Sequence, residues 1–166
     1  GLYVYVNGKE VGYSEDSKNP AEFIINKYIT SGKNIVTFKI YRWSTGYYLE
    51  CQDFWRISGI ERDVYLWSQP QIAVNDFHVI STLDESYTEG IFRLAIDVKN
   101  HTKDTKNIAV GYELSDNKGN AVASAEEELW VSAGALQTFS FNKVLKGVAK
   151  WSADYPNLYR LLLTVK

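Results

Sequence analysis

At 166 residues the chain has room for one or two domains. Its net charge of −2 offers no electrostatic footprint for nucleic acid, and no apolar run approaches the ~18 to 20 residues that span a bilayer. A single cysteine, Cys51, excludes an internal disulfide and leaves the compartment open between cytoplasm and periplasm.

Taken in chain order, the patterning is β nearly throughout. Residues 2–6 are followed by Asn7-Gly8 and then residues 10–13, which predicts a hairpin, because Asn-Gly supplies the two positive φ angles of a type I′ turn. Residues 21–25 and 34–41 read as further strands, separated by a turn at 31–34. Residues 62–67 alternate, with Val64 and Leu66 opposed to Asp63 and Tyr65, and read as a strand ending before Pro70. A domain boundary is placed there, giving domains 1–70 and 71–166, since proline cannot continue a ladder. Beyond it, residues 72–82, 90–99, 107–115, 120–131, 135–144 and 157–165 make six expected strands with polar or glycine-bearing turns. Phe92, Leu94, Ile96 and Val98 fall on one face, with Arg93, Asp97 and Lys99 on the other. Trp130 and Trp151 are the expected core anchors, each contributing about 1.5 to 3 kcal/mol if fully buried.

Residues 42–70, RWSTGYYLECQDFWRISGIERDVYLWSQP, break this pattern. Tyr41, Trp43, Tyr47, Tyr48, Phe54 and Trp55 do not keep period two, so the stretch is expected to be a shaped loop. Trp43 and Trp55, large apolar rings with one N–H donor each, suit the rim of a polar-ligand pocket; the aromatics equally suit a plug at the end of a sandwich.

RWSTGYYLECQDFWRISGIERDVYL at 42–66, preceded by VYVNGKEVGYSEDSKNPAEFIINKYI at 4–29, is similar to the sugar-binding domain of the large bacterial β-galactosidases of glycoside hydrolase family two. FHV at 77–79 and KWSADYPNLYRL at 150–161 resemble the start and end of the immunoglobulin-like domain that follows in those enzymes. The resemblance implies an all-β chain: a partial jelly-roll sandwich, then an immunoglobulin-like β-sandwich. In that family two glutamates on a (β/α)8 barrel, which follows these domains, cleave the glycoside. The chain is therefore expected to be an interior fragment of such a hydrolase, inactive alone, acting on a β-galactoside or related carbohydrate only within the parent enzyme.

Gln52-Asp53-Phe54-Trp55 matches the family's Q-D-x-W motif, whose aspartate ligates an active-site sodium and contacts the sugar. A carboxylate is a hard oxygen ligand and accepts hydrogen bonds from hydroxyls, so both roles are chemically sound. Asp53 is thus the candidate metal and substrate residue and Trp55 a secondary substrate contact; the alternative is a local clamp of Asp53 with Arg56 or Arg42. Arg56, Arg62 and Asp63 are assigned holding roles around that loop. Glu15-Asp16 resembles a turn near the structural magnesium of the best-known member, but Thr45 stands where that member has a metal-binding aspartate. Magnesium, possible in the parent enzyme, is not expected here; Glu15, Asp16 and Ser17 are read as turn caps.

Glu126, Glu127 and Glu128 do not form a glycosidase pair, since strand neighbours point to opposite faces. His78 is read as a strand residue at a domain or subunit contact and His101 as a turn. Two other functional classes stay open. One is a stand-alone carbohydrate-binding module stacking sugars on Trp43, Tyr47, Tyr48 and Trp55; the other is an adhesive immunoglobulin-like protein. With half a jelly roll, the first domain is expected to expose an apolar sheet face and an unpaired edge, which are templates for a homo-oligomer.

Overall fold

The computed structural model describes residues 1–16, 18–50, 53, 55 and 57–166. The chain divides into two compact units, Gly1–Leu66 and Trp67–Lys166.

In the first unit, β1 (Leu2–Val6), β2 (Lys9–Ser14) and β3 (Val36–Ile40) form one antiparallel sheet in the order β2-β1-β3. The turn between β1 and β2 has φ of 51° at Asn7 and 79° at Gly8, as the Asn-Gly pair predicts. Asn7 then does more than turn the chain. Its Oδ1 accepts from the Ile35 amide at 3.0 Å, and its Nδ2 donates to Asn34 Oδ1 at 2.7 Å, tying the hairpin tip to the entry of β3. One sheet face carries Val4 and Val6, buried, beside Val36, Phe38 and Ile40, which are exposed on β3. The other carries a tyrosine cluster, with Tyr3 at 4.4 Å from Tyr13 and 5.7 Å from Tyr41.

Two expected strands of this unit are absent. Residues 21–25 pair with nothing in the sheets; Pro20 lacks an amide, and Phe23 leaves the extended line to lie on Gly12, where an added Cβ would meet its ring at 2.7 Å. Residues 62–67 are also unpaired, and Val64, Tyr65, Leu66 and Trp67 are all exposed, because no described strand lies beside them to satisfy a ladder. In place of a purely irregular loop, residues 45–49 form a short helix, α1 (Thr45–Leu49).

The second unit is a sandwich of two three-stranded antiparallel sheets. Strands β4 (Ile72–Leu83), β5 (Gly90–Asn100) and β8 (Leu136–Leu145) are ordered β4-β5-β8. Strands β6 (Lys106–Ser115), β7 (Ala121–Val131) and β9 (Arg160–Val165) are ordered β7-β6-β9. The alternation on β5 is realised: Phe92, Leu94, Ile96 and Val98 enter the core against Ile108, Val110 and Tyr112 of β6 and Phe139 and Phe141 of β8. With no disulfide, burial of these side chains at about 1.5 to 3 kcal/mol each holds the sheets together.

The tryptophan anchors expected from the sequence are not in this core. Trp130 pairs with Asn107 on the outer face of its sheet and is 73% exposed, because strand parity gives the inward positions to Leu129 and Val131. Trp151 is 65% exposed and lies in an isolated bridge with Pro156, outside the strands. Phe139 and Phe141 fill the space instead. A single polar side chain, Asn100, is buried among the described residues, and no buried side-chain donor or acceptor among them lacks a partner.

Candidate functional site

The candidate site starts from α1. Five residues are too few for a helix to hold itself in water. Its N-cap, Ser44, makes no side-chain cap bond. The missing acceptor arrives from far along the chain: the Gly46 amide donates to Glu15 Oε2 at 2.8 Å, and Glu15 lies just past the end of β2. The other oxygen, Oε1, accepts from the Tyr13 hydroxyl. That Tyr13 bond first, and then the Gly46 and Thr45 amides, hold the Glu15 carboxyl below its usual range against partial desolvation. The same bond pushes the Tyr13 phenol up to about 12. Gly46 is needed for this approach, because an added Cβ would meet the Glu15 carbonyl oxygen at 3.0 Å.

Around α1 the aromatic rings form an edge-to-face ladder. Trp43 and Tyr47 are 4.4 Å apart at 66°, and Tyr47 and Tyr48 are 5.3 Å apart at 86°. The Arg42 guanidinium sits 5.3 Å from the Trp43 ring. Past the ladder the chain presents Asp53, exposed, and Trp55, 91% exposed.

Among the described residues Asp53 takes part in no ion pair or hydrogen bond, so the clamp with Arg42 is not formed. The clamp with Arg56, and the roles given to Ser17, Cys51, Gln52 and Phe54, lie outside the described residues. Arg62 and Asp63 are exposed, and neither joins an ion pair among the described residues.

Asp16 closes a local turn as expected, accepting from the Lys18 and Asn19 amides at 2.8 and 3.2 Å. Glu15 is not such a turn cap; it reaches across to α1. These bonds also bear on a divalent ion. Both oxygens of Glu15 and both of Asp16 accept hydrogen bonds, and Thr45 offers no carboxylate. For sodium the residues provide one hard oxygen group, Asp53; no cluster of three or more His, Cys, Asp or Glu side chains converges among the described residues.

In the second unit, Glu126 pairs with Lys166 at 2.6 Å and Glu128 accepts from Asn107 Nδ2 at 3.1 Å, as befits a solvated sheet surface. His78 lies in β4, exposed, beside Arg93 and Asn142 in a shallow concavity on the outer face of its sheet. His101 follows β5, its amide donating to the Gln71 carbonyl at 2.7 Å. Nothing there pairs two carboxylates across a cleft.

Missing from the sequence-level site were α1 and the Tyr13–Glu15–Gly46 link. A five-residue helix shows no periodicity, and the contact joins positions 31 apart. Only the unusual pairing of a glycine with a helix start, Thr45-Gly46, hinted at a close approach.

Two antiparallel β units, the first presenting an aromatic-rich surface segment, define the class of an all-β protein. Residues 2–70 match the model of "Glycosyl hydrolases family 2, sugar binding domain" and residues 72–166 that of "Glycosyl hydrolases family 2". The chain belongs to glycosyl hydrolases family 2. A beta-galactosidase of Priestia megaterium is 44% identical over 166 residues, covering 99% of this chain and 16% of that protein. One from Kluyveromyces lactis is 34% identical over 175 residues, covering 96% and 17%. The chain thus spans about a sixth of the length of these relatives. In fold it is similar to a Bacteroides uniformis beta-glucuronidase, with a TM-score of 0.84, 19% identity, and coverage of 99% of this chain and 21% of that one. A Bacteroides vulgatus beta-glycosidase gives a TM-score of 0.70 at 23% identity, covering 99% and 20%.

Proposed function

We propose that this chain is the non-catalytic part of a β-galactosidase-like glycoside hydrolase, orienting and completing a sugar site whose catalytic glutamates stand on a (β/α)8 barrel. Residues 1–70 act as the sugar-binding portion and residues 71–166 as the immunoglobulin-like spacer. The observation that carries this reading is Asp53, an exposed carboxylate without a partner among the described residues, in a stretch rich in aromatic side chains. An exposed carboxylate can accept from sugar hydroxyls or ligate a hard cation. Trp55, projecting beside it, adds an apolar face for the sugar ring. The substrate is a β-galactoside or a related carbohydrate, and sodium, when bound, supplies a hard positive charge for hydroxyl oxygens.

The stand-alone binding module is disfavoured by the ladder geometry. Trp43 and Tyr47 stand at 66° and Tyr47 and Tyr48 at 86°, so these three rings present no single flat platform to a sugar face. Isothermal titration of the 166-residue chain with galactose separates the two readings. No measurable heat is expected; saturable binding would favour the module.

A further inference from the structure

A short helix with an unused local cap, a glycine pressed against a distant carbonyl, and a carboxylate shared between a tyrosine and that helix occur at one place in the first unit. Ser44 stands at the N-cap but its side chain makes no bond to the helix amides. Glu15 takes over the capping task from 31 residues away, and its second oxygen is held by Tyr13. We propose that Glu15 is a positioning residue: from the end of β2 it caps the first turn of α1 and so sets the Trp43–Tyr47–Tyr48 ladder.

The physical case is one of replacement. A five-residue helix has nearly all of its amides and carbonyls at its ends, so an external acceptor on its first turn contributes to its stability. A charged acceptor is stronger than a neutral one, and the Tyr13 hydroxyl donates to its other oxygen. Gly46 permits the approach, since a side chain there would press on the Glu15 carbonyl oxygen at 3.0 Å and Glu50 Oε1 at 3.2 Å. Tyr13 belongs to the same ring cluster as Tyr3 and Tyr41, which anchors the clamp to the β1–β2–β3 sheet. The link therefore ties α1 to that sheet. Its consequence for sugar recognition rests on the function proposed above; the link itself does not.

Amide hydrogen exchange on the 166-residue chain tests it, comparing the parent with Glu15→Ala, Glu15→Gln and Ser44→Ala. Loss of a cap predicts that protection of the Gly46 amide falls about fivefold in Glu15→Ala while the amides of the β1–β2 ladder keep theirs. Glu15→Gln, whose amide oxygen still accepts, restores most of the protection, and Ser44→Ala changes nothing. The Trp43 indole resonance shifts in Glu15→Ala and returns in Glu15→Gln. Added magnesium chloride leaves all of these unchanged. Gly46 protection that survives Glu15→Ala, or that is lost equally in Ser44→Ala, would overturn the inference. So would a uniform loss across the ladder in both Glu15 variants, which would make the residue a general support of the fold. Because no sugar enters this experiment, its failure is distinct from a failure of the hydrolase reading.

Discussion

Asn100→Ala is the substitution whose effect can be worked most closely. Asn100 is fully buried where β5 ends; its Nδ2 donates to the carbonyls of Asp104, Val131 and Ser132 at 2.9, 3.0 and 3.2 Å. Its Oδ1 accepts from the Thr102 amide at 2.9 Å and the Thr102 hydroxyl at 2.7 Å. One side chain thus ties β5 to the exit of β7 and closes the turn between β5 and β6. The two N–H donors are shared among three carbonyls, so the equivalent of about four bonds at about 1 kcal/mol each sets an upper bound of about 4 kcal/mol. Asp104 and Thr102 lie close enough to solvent for water to replace part of this, but Val131 is buried and its carbonyl is left unmatched. The expected loss is therefore about 2 to 4 kcal/mol. In urea unfolding of the 166-residue chain this appears as a lower midpoint with an unchanged slope. Asn100→Asp should not rescue, because it places a charge against three carbonyl oxygens. An Asn100→Ala midpoint within about 0.5 kcal/mol of the parent would refute the reasoning, since that is the range of inert surface changes.

Phe139→Ala should cost about 3 to 5 kcal/mol by opening the core, whereas Trp130→Ala should stay within about 0.5 kcal/mol; the reverse ranking in thermal melts would mean that the sheet parity assigned here is wrong. Asp84 has its carboxyl lowered to about 2, chiefly by the Ser86 hydroxyl and then the Glu89 amide. A lowered folded value means its stabilisation is present above the ordinary carboxylate range and is lost as pH falls through about 2. Asp84→Asn should accordingly flatten the acid limb of the stability profile, and an unchanged limb would count against the turn. Val36, Phe38 and Ile40 line an exposed edge strand, so the isolated chain is expected to self-associate. Light scattering should show that Phe38→Lys lowers the apparent mass; a parent that is monomeric at every concentration contradicts this.

How far the sequence was readable follows the range of the interactions involved. Alternation in β5 is a local, period-two property, and Phe92 to Val98 landed on the inner face as read. Asn7-Gly8 likewise needed only its own backbone preferences. Residues 62–67 alternate as well, yet a strand requires a neighbour, and pairing is not written in alternation. Trp130 was misplaced by size: a large ring suggested an anchor, but its position between Leu129 and Val131 turns it outward. The Asp53 segment stood out because its aromatics fit no strand period, while the clamp from Glu15 was invisible because it is a contact between distant positions. That gap is physical, since capping by a remote side chain leaves no local pattern.

Asp53 carries the central claim, and the most direct measurement is hydrolysis of an aryl β-galactoside by the full-length protein containing this chain, with and without Asp53→Ala. A carboxylate that bonds the sugar or its cation is worth about 1.5 to 3 kcal/mol as a charged hydrogen bond, so kcat/KM should fall roughly ten- to hundredfold while the melting temperature holds. An Asp53→Ala protein that cleaves the galactoside as well as its parent would contradict the account.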